Sequence, residues 1–122
     1  MKTILIADDD KNLTLLYKQE LAEEGYQVDV VNDARQAISR VESDPPDLLL
    51  LDIQMPGMDG IEALHRIIGR NNALPVILNT AYSNHKENFM TWTADAYVVK
   101  SSDLTELKQT IRDVLERRAS ES

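Results

Sequence analysis

Three consecutive acids, Asp8-Asp9-Asp10, stand immediately after the short apolar run Ile4-Leu5-Ile6-Ala7. Asp52 stands just past Leu48 to Leu51, Asn79 and Thr80 follow Val76-Ile77-Leu78, and Lys100 follows Tyr97-Val98-Val99. Carboxylates about 4 Å apart repel by roughly 4 kcal/mol at an effective dielectric near 20, so grouping Asp8, Asp9 and Asp52 raises a pKa or demands a counter-charge. One lysine cannot neutralise three acids. An oxygen-only donor set with open positions suits Mg²⁺ (or Mn²⁺), which keeps several waters and takes one or two carboxylates plus a substrate phosphate. A metal held by carboxylates beside an ammonium and a hydroxyl is the set of parts that phosphoryl transfer uses, because that chemistry is mostly positioning and charge stabilisation.

Each member taken alone has an ordinary explanation. An Asp after a strand is often a helix N-cap, and one of Asp9 or Asp10 is expected to cap the helix that follows. Thr80 by itself reads as a turn residue and Lys100 as a solvated charge. Their joint placement at the ends of four apolar runs is what no propensity argument asks for.

The elements that must position these groups alternate along the chain. Runs rich in aliphatic residues, Ile4 to Ala7, Val28 to Val31, Leu48 to Leu51, Val76 to Leu78 and Tyr97 to Val99, read as buried strands. Between them lie segments with helical spacing: Leu13, Leu16, Tyr17 and Leu21, stopped by Gly25; Ala34, Ala37, Ile38 and Val41, stopped by Pro45-Pro46; then Ile61, Leu64 and Ile68. A last helix carries Leu104, Leu107, Ile111, Val114 and Leu115. Asp33/Gln36, Asp59/Glu62 and Asp103/Glu106 have capping-box spacing. The segment 84–92 is the weakest helix, its apolar residues Phe89, Met90 and Trp92 being few and late. Five strands alternating with five helices imply right-handed βαβ units, a parallel sheet and helices on both faces, the doubly wound α/β class. In such sheets ligands bind beyond the carboxyl ends of the strands, where the four groups gather.

Composition agrees with one domain in 122 residues, expected over 1–118 with 119–122 a polar tail or the start of a linker. A net charge of −8 offers no basic face for nucleic acid, and the absence of Cys excludes disulfides and thiolate metal sites. With 43% apolar residues the chain can bury a core, yet its longest aliphatic run is far short of a membrane span. A cytoplasmic domain is expected, with neither membrane nor direct nucleic-acid binding.

The chain resembles the receiver domain of two-component response regulators over nearly its whole length. The resemblance rests on Leu51-Asp52-Ile53-Gln54-Met55-Pro56-Gly57-Met58-Asp59-Gly60, on the acids after the first strand, on Asn79-Thr80-Ala81, and on Ala94 to Lys100. It implies a flavodoxin-like (βα)5 fold with strand order 2-1-3-4-5. It also implies Asp52 as the phosphoacceptor, taking a phosphoryl group from a sensor histidine kinase, a phosphotransfer protein or a small acyl phosphate. Asp9 and Asp52 would then ligate Mg²⁺ directly, Asp8 through water, and Gln54 through its backbone carbonyl. Lys100 would pair with a phosphoryl oxygen and Thr80 would move its hydroxyl onto another. Tyr97 would turn inward, and the small Ala81 would leave the phosphate accessible. Gln54 and Tyr82 would tune phosphate lifetime, the bulk of Tyr82 slowing its loss, and Pro56-Gly57 would shape the turn beside the acceptor.

The same resemblance implies a signalling switch rather than an enzyme, read out on the face of the fourth helix, fifth strand and fifth helix. Its target would be a downstream protein or a C-terminal effector domain, and the domain a monomer or a weak phosphorylation-dependent dimer. Two positions depart from the family pattern: Ser101 follows Lys100 where Pro is usual, and Thr93 stands where Gly is usual.

Three rivals are weaker. A haloacid-dehalogenase-type phosphatase would use Asp8 as nucleophile within Asp8-Asp9-Asp10, but the fourth residue beyond Asp8 is Asn12 and no acidic pair follows Lys100 near a strand end. A calcium loop begun at Asp8 has Leu13 where Gly is needed and Gln19 where Glu is needed. A pseudo-receiver that binds partners without phosphate would not need the acceptor chemistry this chain retains. His65, His85 and Trp92 carry no assigned role.

Overall fold

In a computed structural model, residues 1–55, 60–71, 73–81, 94–101 and 103–121 are described. The chain runs β1 (Thr3–Ala7), α1 (Lys11–Glu23), β2 (Gln27–Val31), α2 (Ala34–Ser43), β3 (Leu48–Leu51), α3 (Gly60–Arg70), β4 (Val76–Thr80), β5 (Ala96–Val99) and α4 (Thr105–Glu121). The expected fourth helix over 84–92 lies outside the described residues, as do Pro56, Gly57, Asp59, Tyr82, His85, Trp92 and Thr93. The C-terminal helix is therefore α4 here.

All strand pairs are parallel, in the order β2-β1-β3-β4-β5 that the resemblance implies. Successive side chains of a strand point to opposite faces, so the all-apolar strands β1 and β3 feed two cores at once. Leu5, Ala7, Leu49, Leu51, Val76 and Leu78 pack with Ala37, Leu64 and Ile67 of α2 and α3. Ile4, Ile6, Leu48, Leu50, Ile77 and Val98 pack with Tyr17 and Leu21 of α1 and Leu107 and Ile111 of α4. Register pairs Ala7 with Leu51, and Leu51 with Leu78, so the central strands end side by side. Whatever follows them shares one rim.

Local signals set the helix ends. Asp10 caps α1, accepting from Leu13 N–H. The helix closes with Gly25 at φ +97°, Gly25 N–H reaching Ala22 O and Tyr26 N–H reaching Leu21 O, the paired bonds of a left-handed glycine cap. Asp33 caps α2 through Gln36 N–H, while the Gln36 side chain accepts from Asn32 N–H, one residue before the cap.

Two expectations are corrected. Asp103 accepts from the backbone and hydroxyl of Thr105 rather than forming a box with Glu106, because α4 starts one turn-position later than the spacing suggested. On α1, Leu16 is exposed while Thr14 is buried, since α1 meets the sheet through Thr14, Tyr17 and Leu21. Arg118 is held by Asp95 and by Leu74 O, and the helix continues to Glu121.

Candidate phosphoacceptor and metal site

The rim beyond the strand ends is built first from backbone bonds. Asp8 N–H continues the β1–β2 ladder to Val31 O at 3.1 Å, and Asp52 N–H continues the β1–β3 ladder to Ala7 O at 2.9 Å. Lys100 N–H reaches Thr80 O at 2.7 Å at the end of β4–β5. Asp8, Asp52 and Lys100 are thus each the first residue past a strand, fixed by the last rung of the sheet.

The side chains then converge. Lys100 Nζ lies 2.8 Å from Asp8 Oδ2 and 2.9 Å from Asp52 Oδ2. The other oxygens of the two acids are held by backbone: Asp8 Oδ1 accepts from Asp10 N–H and Asp52 Oδ1 from Gln54 N–H, each at 2.9 Å. Asp8 and Asp52 are 3% and 4% exposed, whereas Asp9 is open to solvent. One carboxylate oxygen from each of Asp8, Asp9 and Asp52 falls within 4.8 Å of the others. Burial drives the Asp8 pKa above its ordinary value, against the pull of Lys100 and Asp10 N–H. Burial also works against the Lys100 charge, but the hydrogen bonds and charges of Asp8 and Asp52 prevail and its pKa is raised. Lys100 therefore stays cationic between two acids, and the three-acid cluster keeps an uncompensated excess of negative charge.

An open cavity of about 310 Å³ lies over this cluster, lined by Asp9, Asp10, Asp52, Gln54, Ala81 and Lys100. The donor set fits a hard divalent cation: all oxygen, two carboxylates held in place, one carboxylate free to approach, and room for waters. Asp52 presents a carboxylate to the same cavity, so the arrangement can hold a cation and a phosphoryl group against one another.

Of the residues singled out from sequence, the structure brings Asp8, Asp9, Asp52 and Lys100 together, with Gln54 and Ala81 on the cavity wall. Thr80 is fully buried at the end of β4 and is not among the residues lining the cavity. Tyr97, partly buried on β5, packs against the core shared with α2 and α3. Tyr82 falls outside the described residues. Asp10 proves to be the helix cap as well as part of the wall.

Sequence reasoning missed three features. Asp95, just before β5, accepts from Val76 N–H at 2.8 Å and is gripped by Arg118 through both oxygens. Gly60 sits where a Cβ would lie 2.2 Å from Ile53 Cα, so only glycine lets the start of α3 pass over the segment after Asp52. Tyr17 and Asn79, both buried, line one cavity on the α1–α4 side of the sheet. The last pair did leave a signal: a tyrosine on the apolar stripe of α1, and an asparagine in an otherwise aliphatic run.

A family profile described as the response regulator receiver domain matches residues 4–112. The response regulator ArlR of Staphylococcus epidermidis is 37% identical over 120 residues, covering 97% of this chain and 54% of that protein. The chain spans about half the length of the curated relatives it matches. Among solved structures, the response regulator protein TrrA of Thermotoga maritima, in complex with Mg²⁺–BeF, is 40% identical with a TM-score of 0.90. That match covers 93% of this chain and 99% of the other. TrrA is also matched in its complex with the histidine kinase ThkA, at 41% identity and a TM-score of 0.89, over 94% of this chain and 99% of that one. A CheY-like receiver domain protein from Methanospirillum hungatei is 30% identical with a TM-score of 0.94, covering 100% and 99%. The profile match, the identities and the shared strand order agree with the rim geometry, and the chain belongs to the response regulator receiver domain family.

Proposed function

We propose that the chain is a phosphorylation-activated switch whose acceptor is Asp52. An Asp52 carboxylate oxygen attacks the phosphorus of a phosphohistidine on a sensor kinase or phosphotransfer protein. The phosphorus–nitrogen bond breaks, the imidazole nitrogen keeps the electron pair, and an acyl phosphate forms. Asp9, Asp52 and the Gln54 carbonyl would hold Mg²⁺, with Asp8 acting through water. The ion supplies charge neutralisation where four anionic groups meet. Lys100 already bridges Asp8 and Asp52, and on phosphorylation it exchanges the Asp52 oxygen for a phosphoryl oxygen. A single observation carries the reading. Asp52 is nearly buried, is oriented by Gln54 N–H and Lys100, and still lines an open cavity beside Asp9.

Thr80 and Lys100 are the residues through which the added charge reaches β4 and β5. Phosphorylation brings close to two negative charges, and moving a switch from 1:99 to 99:1 takes about 5.5 kcal/mol of differential interaction. The output face combines the segment 84–92, β5 and α4, and its target is a downstream protein or an effector domain on the same polypeptide. A cytoplasmic location follows from the kinase chemistry. The receiver domain occupies 1–118 in this reading, and Tyr82 with Gln54 sets the lifetime of the phosphate. The phosphatase reading is less well supported, because its nucleophile, Asp8, does not line the cavity.

Intact mass after incubation with acetyl phosphate and Mg²⁺ tests the proposal. Wild type should gain one phosphoryl group and Asp52→Asn none. Uptake that persists in Asp52→Asn and disappears in Asp8→Asn would transfer the chain to the phosphatase reading, and no uptake at all would leave a pseudo-receiver.

A further inference from the structure

A second cavity, of about 130 Å³, lies where α1, the ends of β4 and β5 and the start of α4 meet. No described residue lines both this cavity and the one over the acids. Its floor is buried: Tyr17 and Asn79 are 1% and 2% exposed, and Val98 and Leu104 complete it. Its mouth is polar, formed by the exposed Ser101, Asp103 and Glu106. Asn79 follows three aliphatic residues of β4, Val76, Ile77 and Leu78. Asn79 Nδ2 donates to Val98 O at 3.0 Å, which fixes which way the amide points, since the flipped amide would set its oxygen against that carbonyl. Asn79 Oδ1 is left with no partner among the described residues. A buried oxygen in that state costs stability, and an apolar residue at this position would avoid the cost. What the oxygen lacks is a donor.

The lining selects the kind of molecule that supplies one. No cationic side chain is among the described residues of the lining, whereas Asp103 and Glu106 place two carboxylates at the mouth. The amino end of α4 adds a partial positive charge of about half a unit there, which two carboxylates outweigh. The charge balance favours a cation over an anion. A sphere of this volume is about 6 Å across, less than the Debye length of about 8 Å at physiological salt, so the acids act on a charge anywhere inside. The space equals about four waters, yet the side chains of Val98 and Leu104 offer water no hydrogen bonds, and carbon fills that part better. They also leave a bare metal ion short of oxygens. We propose that this cavity is a binding site for a small organic cation of the alkylammonium class. Its N–H groups donate to Asn79 Oδ1, its short carbon chain lies on Val98 and Leu104, and Asp103 and Glu106 balance its charge. The site stands whether or not Asp52 accepts phosphate.

The test titrates isotope-labelled protein with n-butylammonium chloride and follows amide shifts by NMR. Saturable shifts in the millimolar range are expected at Ser101, Leu104 and Glu106. Asn79→Leu removes a hydrogen bond to a charged group and should weaken binding about tenfold. Glu106→Gln changes an exposed position, which leaves the fold alone, and should weaken binding about threefold at low salt, an effect that about 1 M NaCl abolishes. Tetramethylammonium carries the charge without a donor, and n-butanol carries a donor without the charge. Each should bind about tenfold more weakly than n-butylammonium. The proposal is overturned if n-butylammonium moves no amide around the cavity, which would leave water as its occupant. Unchanged low-salt binding in either variant overturns it as well, so the exposed substitution keeps the test decisive even if the buried one disturbs the core. Tetramethylammonium or n-butanol matching n-butylammonium would equally overturn it.

Discussion

Neutralising Asp8 should make the metal-free protein more stable. Carboxylate oxygens of Asp8, Asp9 and Asp52 lie within 4.8 Å of one another. At an effective dielectric near 20 each pair repels by about 3.5 kcal/mol, and the share from solvent-exposed Asp9 is reduced by screening. Against this, Lys100 at 2.8 Å attracts Asp8 by about 6 kcal/mol on the same scale. These terms nearly cancel, and the burial of the charge decides the sign, as the raised Asp8 pKa records. Asp8→Asn keeps an oxygen for Asp10 N–H and leaves Lys100 paired with Asp52 at 2.9 Å. The expected gain is on the order of 1 kcal/mol at neutral pH, seen as a rise of about 0.5 M in the urea midpoint with chelator present.

The pH window follows from the same shift. Because the folded pKa of Asp8 is above its unfolded value near 3.8, the native state takes up the proton first as pH falls. Wild type therefore catches up in acid, and the variant's advantage belongs to pH above the folded pKa. Mg²⁺ should reverse the order, since a ligand at a hundredfold its Kd adds about 2.7 kcal/mol to whichever protein binds it. A variant that unfolds at lower urea than wild type at neutral pH without metal would refute the claim that burial of this charge outweighs its pairing.

Other perturbations have equally definite outcomes. Gly60→Ala drives a Cβ to 2.2 Å from Ile53 backbone and should cost about 1–3 kcal/mol in chemical denaturation while also weakening Mg²⁺ binding, because Ile53 adjoins Asp52. Arg118→Ala removes a two-oxygen grip on Asp95 and a bond to Leu74 O at a partly buried position; a loss of about 1–2 kcal/mol is expected, with faster amide exchange at the start of β4 and β5. Lys100→Met leaves two buried acids without their cation and should destabilise the protein by about 3 kcal/mol at neutral pH. The Lys100 pKa is raised above its unfolded value of 10.5, so this contribution is full below that pH and disappears as pH rises through the folded pKa. The difference between wild type and variant should shrink on alkaline titration.

Much of this molecule is written locally. Ile4 to Ala7 and Leu48 to Leu51 are apolar at every position, and only a strand covered on both faces needs that. Asp10, Asp33 and Gly25 act within a few residues of their own helix ends, so their roles are readable from spacing. Other parts were illegible because the partner is remote. Arg118 meets Asp95 across 23 residues, and nothing in either neighbourhood names the other. Leu16 fits the helical stripe as well as Thr14 does, and which of them is buried depends on the angle at which α1 lies against β1 and β3.

The sequence by itself determined that acids, a hydroxyl and an ammonium stand at strand ends, because alternation of apolar runs and helical segments forces a parallel sheet whose carboxyl ends share a side. Tertiary structure alone decided how far those groups approach, since the rungs Asp52 N–H to Ala7 O and Lys100 N–H to Thr80 O set the spacing that lets one ammonium bridge two carboxylates. It also decided that Tyr17 and Ser101 line one cavity, although one lies on a helix near one end of the chain and the other in a loop near the other. Spacing along a chain encodes direction and order, whereas distance between segments depends on the packing of every element between them.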